Sequence, residues 1–125
     1  MPLLRSIALS LAVLATAACA AMAGAPTKVS DGALTNEAGM TLYTFDSDPA
    51  GSGKSVCNGP CATNWPPLLA ADGASARGDY SIITRDDGKK QWAYKGKPLY
   101  LWVQDKKPGD RTGDGFRNVW RTAKP

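Results

Sequence analysis

The sequence predicts a small, mainly β single domain made of two related antiparallel β units, with a short helical turn near a disulfide. One observation is a set of five residue types that occurs twice at a constant offset of 57 positions, and another is a series of short segments separated by glycine-bearing turns. A pattern used only twice indicates two similar units packed on each other, because a solenoid needs three or more repeats. The matched positions are Gly39 with Gly96, Leu42 with Leu99, Tyr43 with Tyr100, Phe45 with Trp102, and Asp48 with Asp105.

The short segments predict two hairpins and a meander. The first hairpin turns at residues 37–39 and the second at residues 95–97, each with a glycine where the turn needs a positive φ. Residues 86–88 read Asp-Asp-Gly, a strong turn signal that joins two strands of the meander. The predicted strands are residues 33–35, 41–45, 80–85, 90–94, 99–103 and 116–120.

The first 23 residues are typical of a secretory signal peptide. Arg5 lies near the amino terminus, residues 7–15 form an apolar run, and residues 21–23 read Ala-Met-Ala, a small-x-small cleavage site. The apolar run is shorter than the roughly 18 residues that a transmembrane helix needs. We therefore expect residues 24–125 to form one domain that is periplasmic or secreted, with no transmembrane segment.

Cys19 offers an alternative, because a lipidated cysteine at this position would anchor the protein to a membrane. Bacterial lipoproteins usually carry leucine three residues before that cysteine, and Thr16 stands there in this chain. The sequence therefore favours the form without an anchor.

The composition excludes several classes of site. The chain has no histidine, which excludes histidine-based catalytic triads, imidazole metal sites and the attachment motif of c-type haem. The basic residues are spread along the chain without a run that would follow phosphates, so no nucleic-acid partner is expected. We predict no catalytic residue, no metal site and no cofactor.

Cys57 and Cys61 remain after cleavage of the signal peptide, and an even pair in an oxidising compartment predicts a disulfide. A redox pair is the alternative, but oxidoreductase pairs normally have two intervening residues and this pair has three. Pro66 and Pro67 exclude a central strand, so a single helical turn ending at Trp65 is predicted after the disulfide.

The repeated aromatic residues predict a buried face. Tyr43 and Phe45 are two positions apart and point to the same side of a strand, whereas Leu42 points to the other side. Tyr100 and Trp102 have the same spacing. We interpret these faces as core, and an exposed platform that stacks on a sugar or an aromatic ligand is the alternative.

Aspartates follow both aromatic strands. We predict that Asp48 and Asp105 accept backbone N–H bonds and so cap the turn after each strand. Closely spaced aspartates also occur in calcium loops, but the ordered Asp-x-Asp-x-Asp-Gly series with a final glutamate is absent. The other aspartates considered for a calcium site are Asp46, Asp110 and Asp114.

The segments 43–48 and 100–105 resemble the Yx(FWY)xxD signature of a bacterial family known as the secreted repeat of unknown function, or predicted lipoproteins with this motif. Residues 57–69, with two cysteines followed by Trp-Pro-Pro-Leu, are similar to another region of that family. The resemblance covers roughly residues 29–122 and implies export and a twofold repeat, with units near 31–69 and 86–122. It brings no catalytic residue, because the family has no established activity.

These observations predict an exported, non-enzymatic binding or interaction module whose partner is an envelope protein or a small ligand. The alternative is a small periplasmic redox or metal-binding protein that uses the Cys57/Cys61 pair or the aspartate-rich turns.

Overall fold

The computed structural model describes residues 26–125, so the predicted signal peptide and Cys19 lie outside the described residues. The described chain is built from short strands and two short helices. The elements are β1 (Lys28–Ser30), β2 (Ala33–Thr35), β3 (Tyr43–Phe45), α1 (Pro60–Asn64), β4 (Tyr80–Thr84), β5 (Lys90–Tyr94), β6 (Lys97–Pro98), a 3-10 helix (Phe116–Asn118) and β7 (Trp120–Thr122).

The strands form three small antiparallel sheets. β1 pairs with β2, β3 pairs with β7, and β4, β5 and β6 form a meander. The predicted mainly β antiparallel fold, with a short helix next to the disulfide, is therefore confirmed. No helix within residues 26–125 is long and apolar enough to cross a membrane.

The predicted meander is present with its turns. Residues 86–88 connect β4 to β5, where Arg85 N donates to Lys89 O at 2.8 Å. Lys95 and Gly96 connect β5 to β6 with φ values of 49° and 83°. Two successive positive φ values are typical of the tight turns that match the twist of a hairpin.

Two predicted strands differ from the structure. Residues 99–103 do not form a regular strand, and Tyr100 makes isolated bridges to Tyr43 and Pro67. Pro67 has no N–H group, so a ladder beside it cannot continue in the regular pattern. Residues 116–118 form a 3-10 helix, and the closing strand begins only at Trp120.

The 3-10 helix has a local cause. Gly115, Arg117 and Asn118 all have positive φ values, of 77°, 49° and 61°. A backbone in this left-handed region cannot extend as a strand.

The first half of the fold, residues 26–70, is closed by a residue from the second half, residues 80–125. Leu34 N donates to Ala123 O at 2.9 Å, Ala123 N donates to Leu42 O at 2.8 Å, and Leu42 N donates to Leu34 O at 3.0 Å. These bonds form a closed ring in which two members belong to the first half and Ala123 belongs to the second.

The second half contains the corresponding ring, with the roles exchanged. Trp92 N donates to Leu68 O at 2.9 Å, Leu68 N donates to Leu99 O at 2.9 Å, and Leu99 N donates to Trp92 O at 3.0 Å. Here Leu68 is the member from the first half. The two halves therefore interlock, because the last segment of each half completes the hydrogen-bonded ring of the other.

The repeated glycines lie where the halves approach most closely. A Cβ atom on Gly96 would lie 2.6 Å from the backbone nitrogen of Gly51, and one on Gly39 would lie 3.2 Å from Cβ of Pro108. Both glycines also have a positive φ, of 83° and 86°. A side chain at Gly96 would thus strain its backbone and push the halves apart.

The buried side chains form two clusters on opposite sides of the repeated segments. One contains Leu34, Leu42, Trp92, Leu99 and Ala123. The other contains Tyr43, Cys57, Trp65, Tyr100 and Trp120. Successive side chains of an extended chain point to opposite sides, so Leu42 and Tyr43 enter different clusters.

We expect the two halves to fold only together. Residues 26–70 and 80–125, produced separately, should show no cooperative thermal unfolding, because each lacks the partner that closes its ring and pieces of this size are at the lower limit for independent folding. Mixing them should restore a cooperative transition whose midpoint rises with concentration. Circular dichroism melting of each piece and of the mixture measures this. Cooperative melting of either piece alone would show that the interlock is not required.

Candidate functional site

The centre of the molecule is the point where Tyr43 and Tyr100 meet. Tyr43 N donates to Tyr100 O at 2.8 Å, and Tyr100 N donates to Tyr43 O at 2.9 Å. Both residues are fully buried. Because they occupy matching positions of the repeated pattern, an approximate twofold axis passes between them.

The two tyrosine hydroxyls each bind the aspartate of the other half. Tyr43 OH donates to Asp105 Oδ2 at 2.6 Å, and Tyr100 OH donates to Asp48 Oδ2 at 2.5 Å. We call these the crossed pairs. The tyrosine and the aspartate of one repeated segment therefore never bind each other, and both reach across to the other half.

The second carboxylate oxygen of each aspartate binds a loop of its own half. Asp48 Oδ1 accepts from Val56 N at 2.8 Å. Asp105 Oδ1 accepts from Thr112 N at 3.0 Å and from Thr112 Oγ1 at 2.6 Å. Each aspartate thus joins the loop after its strand to a tyrosine from the opposite half.

The surroundings of the two crossed pairs differ. Beside Tyr100, Ser55 Oγ lies 2.6 Å from the phenolic oxygen and accepts from Arg85 Nη1 at 3.0 Å. Arg85 is only 3% exposed, so it supplies a buried positive charge near Tyr100. Beside Tyr43, the donor is Gly113 N, at 3.2 Å from the phenolic oxygen.

Burial raises the pKa of both tyrosines well above their ordinary value, and the hydrogen bond to a carboxylate raises it further. A phenol that donates to a carboxylate would lose this bond on ionisation and would place two negative charges side by side. Both tyrosines are therefore neutral donors at physiological pH.

Four aromatic rings form one stack beside the crossed pairs. Phe45 stacks on Trp120 at 4.3 Å, Trp120 on Trp65 at 3.7 Å, and Trp65 on Trp102 at 4.0 Å between ring centroids. Phe116 lies against Trp102 at 4.9 Å. Successive rings in the stack come from alternate halves. Phe45 of the first half packs on Trp120 of the second, and Trp102 of the second half packs on Trp65 of the first.

The tyrosines lock the two inner rings of the stack. Tyr43 contacts Trp65 edge-on at 5.3 Å, and Tyr100 contacts Trp120 edge-on at 5.1 Å. Such edge-to-face pairs are worth about 0.5–1.5 kcal/mol beyond the area that they bury. The crossed pairs and the stack are therefore one continuous structure.

A groove of about 400 Å³ runs along this stack. Its aromatic lining is Phe45, Trp65, Trp102, Phe116 and Trp120, and the rest is Pro60, Cys61, Asn64, Arg117 and Val119. Trp65 and Trp120 are nearly buried, whereas Phe45, Trp102 and Phe116 are half-buried. We call this the aromatic groove.

A larger groove of about 560 Å³ lies beside Trp92 and Leu69. Its lining includes Pro26, the first described residue. The aromatic groove is lined entirely by residues well inside the described chain.

A family model described as "secreted repeat of unknown function" matches the chain twice, over residues 27–69 and 81–124. The chain belongs to this family. No curated protein and no solved structure shows a significant match to the chain. The expected resemblance is therefore confirmed, and the two matches correspond to the two interlocked halves of the fold.

In this secreted-repeat protein, the predicted motif residues are placed mainly in the interior. Tyr43, Asp48, Tyr100 and Asp105 meet in the crossed pairs. Phe45 and Trp102 occupy the two ends of the ring stack and also line the aromatic groove. The motif therefore joins the halves, and only its two outer aromatic residues reach a surface.

Sequence reasoning missed the pairing of Trp65 with Trp120. These residues are 55 positions apart, whereas the recognised pattern has an offset of 57. A search that allowed a shift of two positions would have matched them, because each lies about twenty residues after its tyrosine. Leu68 and Ala123, each of which completes the ring of backbone hydrogen bonds in the other half, are also 55 positions apart.

The other aspartates considered for a calcium site have partners within the protein. Asp46 forms an ion pair with Arg121 at 2.8 Å, which lowers its pKa. The N–H groups of Lys106 and Thr122 lower the pKa of Asp110 and of Asp114, respectively. Across residues 26–125, no group of three acidic or cysteine side chains is arranged to hold a metal ion.

The predicted disulfide between Cys57 and Cys61 is present. Cys57 is fully buried beside the ring cluster, and Cys61 lies in α1 and lines the aromatic groove. The disulfide thus fixes α1, which ends immediately before Trp65.

We expect the free energy of unfolding to fall as the pH rises above about 10, the ordinary pKa of tyrosine. The folded tyrosines have a raised pKa, so their contribution is complete below that pH. This contribution to stability is lost above that pH, because the unfolded chain releases protons that the folded chain retains. The slope is about 1.4 kcal/mol per pH unit for each tyrosine. Urea unfolding between pH 8 and 11 measures it.

Tyr43→Phe should remove one such contribution and flatten the alkaline loss of stability. Tyr94→Phe is the matched control, because Tyr94 is a half-buried tyrosine that takes no part in the crossed pairs. If the alkaline slope of Tyr43→Phe equalled that of the wild type, Tyr43 would not be the group responsible.

Proposed function

We propose that this protein is an exported, non-enzymatic binding or interaction module and that the aromatic groove is its contact surface. The observation that carries the proposal is the partial exposure of Phe45, Trp102 and Phe116 along a preformed groove. Ligand sites are typically concave, mainly apolar and preformed, with a few polar groups that orient the ligand. Asn64 and Arg117 are such polar groups here.

The support for a preformed surface is structural. The groove follows a ring stack whose inner members are held by buried tyrosines, and one wall is fixed by the disulfide. A rigid surface loses little conformational entropy on binding, which favours affinity from a small contact area. We place the module in the periplasm or outside the cell, in the form without a lipid at Cys19.

The test compares capture of envelope material by immobilised wild type, Phe116→Ala and Leu69→Ala. Leu69 is the matched control, because it is an exposed apolar residue in the larger groove. Material identified by mass spectrometry should be retained by the wild type and by Leu69→Ala and lost, by at least tenfold, with Phe116→Ala. The opposite pattern would assign the contact surface to the larger groove.

A second candidate is one-electron transfer, favoured by the continuity between the crossed pairs and the ring stack. A phenol that gives up an electron must also release its proton, and Asp105 Oδ2 accepts from Tyr43 OH at 2.6 Å. An external one-electron oxidant would take the electron, the carboxylate would hold the proton, and reduction would reverse both transfers. Trp65 and Trp102, stacked at 4.0 Å, lead from Tyr43 to the half-buried end of the stack.

This candidate predicts a long-lived tyrosyl or tryptophanyl radical after flash photolysis with a ruthenium oxidant. Electron paramagnetic resonance should show that Asp105→Asn shortens the lifetime of a tyrosyl radical by at least tenfold, because an amide cannot take the proton. Asp46→Asn, at the surface, should leave the lifetime unchanged. Equal lifetimes in all three proteins would exclude a role for the crossed pair in electron transfer.

A further inference from the structure

The floor of the aromatic groove is formed by ring edges. Trp120 is stacked between Phe45 and Trp65, and Trp65 is stacked between Trp120 and Trp102. Both faces of each inner ring are therefore covered, and only their edges can meet a bound ligand. The edge of an aromatic ring carries partial positive charge, whereas its face carries partial negative charge. The floor thus favours negatively charged or carbonyl oxygen atoms over a flat ring that needs an open face.

Arg117 adds a full positive charge to the same groove. Its guanidinium group lies 5.4 Å from the centre of the Phe116 ring, and it is the charged residue among those lining the groove. The ion pairs found within residues 26–125 are Lys107 with Asp110 and Arg121 with Asp46, so no carboxylate of the described chain neutralises Arg117. Its planar fork of donors matches a carboxylate group.

The backbone holds Arg117 in an unfavourable conformation. Its φ and ψ values are 49° and 21°, and Asn118 follows with a φ of 61°. Residues other than glycine rarely occupy this left-handed region, and such strain concentrates at ligand-binding sites. The strained turn places the Arg117 guanidinium at the rim of the groove and over Phe116.

The dimensions of the groove suit an extended chain. The three ring spacings along the stack total on the order of 12 Å, which corresponds to about three to four residues of extended peptide. Asn64 is exposed, and it lines the groove with a side-chain amide that has both donor and acceptor atoms. It can therefore bind a peptide group, while Pro60 and Val119 offer apolar contacts.

We infer that the aromatic groove binds a short, extended acidic peptide segment of a partner protein, with a carboxylate on Arg117 and the peptide backbone on Asn64. This inference rests on the proposed function and names the chemistry of its partner. The observations that carry it are the positive ring edges, the unneutralised guanidinium in a strained backbone, and the length of the groove.

The test uses two blocked tetrapeptides, Leu-Asp-Leu-Asp and its amide counterpart Leu-Asn-Leu-Asn, with the full exported chain. Tryptophan fluorescence reports binding, because three of the four tryptophans line the groove. The acidic peptide should bind at least tenfold more tightly than the amide peptide, and its affinity should fall as salt is raised. Thermal melting of every variant verifies that it is folded.

Arg117→Gly and Asn118→Gly form a matched pair, because both replace a left-handed residue by the residue that adopts this conformation without strain. Asn118 does not line the groove. Arg117→Gly should weaken binding of the acidic peptide at least tenfold, and Asn118→Gly should leave it within twofold of the wild type.

Equal affinity for the two peptides, or an unchanged affinity in Arg117→Gly, overturns the inference. The absence of peptide binding also overturns the inference. If envelope material is still captured in a Phe116-dependent way in that case, the proposed function stands and only the acidic peptide is rejected. If capture does not depend on Phe116 either, both proposals fail. Phe116-dependent binding of an acidic oligosaccharide or of anionic lipid vesicles, without peptide binding, also counts against the inference.

Discussion

The structure depends on two hydrogen bonds between buried tyrosines and buried aspartates. A buried carboxylate without a partner is costly, and the cost is reduced only when donors surround it. Asp48 is fully buried and Asp105 is 7% exposed, yet each receives its phenolic donor from the opposite half. Each half supplies its own aspartate with loop donors only. The phenolic donor comes from the other half, so association of the halves is built into the stability of the fold.

This constraint explains why the repeated motif says so little about a ligand. The repeated leucines, tyrosines and aspartates are all buried, and the glycines give the halves room to approach. The surface that we propose for binding arises where the two halves differ. α1 and the disulfide precede Trp65, whereas the strained 3-10 helix precedes Trp120. The aromatic groove lies between these two unlike segments, so its polar groups, Asn64 and Arg117, come from residues outside the motif.

Much of the fold could be predicted because it follows from local rules. The alternation of Leu42 and Tyr43 placed them on opposite sides of the chain, and the glycine turn at residues 86–88 identified the meander. The short helix and the disulfide followed from Pro66, Pro67 and the cysteine spacing. Each of these features is decided by neighbours in sequence.

The features that sequence reasoning missed depend on contacts between distant residues. The closing strand is predicted to begin at residue 116 but begins at Trp120, because the left-handed turn at Arg117 and Asn118 precedes it. An arginine rarely adopts this conformation, so its residue type does not predict it. The crossing of the tyrosine and aspartate pairs could not be predicted either, because the repeated motif is equally compatible with pairs inside each half. In the structure, the crossed arrangement occurs together with the backbone bridge between Tyr43 and Tyr100.

The exchange of closing segments also restricts how such a protein can grow. Leu68 completes the ring of the second half and Ala123 completes the ring of the first, so the contribution is strictly mutual. A third unit added in tandem would have no segment from another unit to complete its own ring, and its own last segment would have no ring to complete. Duplication that preserves this fold therefore favours even numbers of units, and both the backbone rings and the crossed pairs impose this pairing.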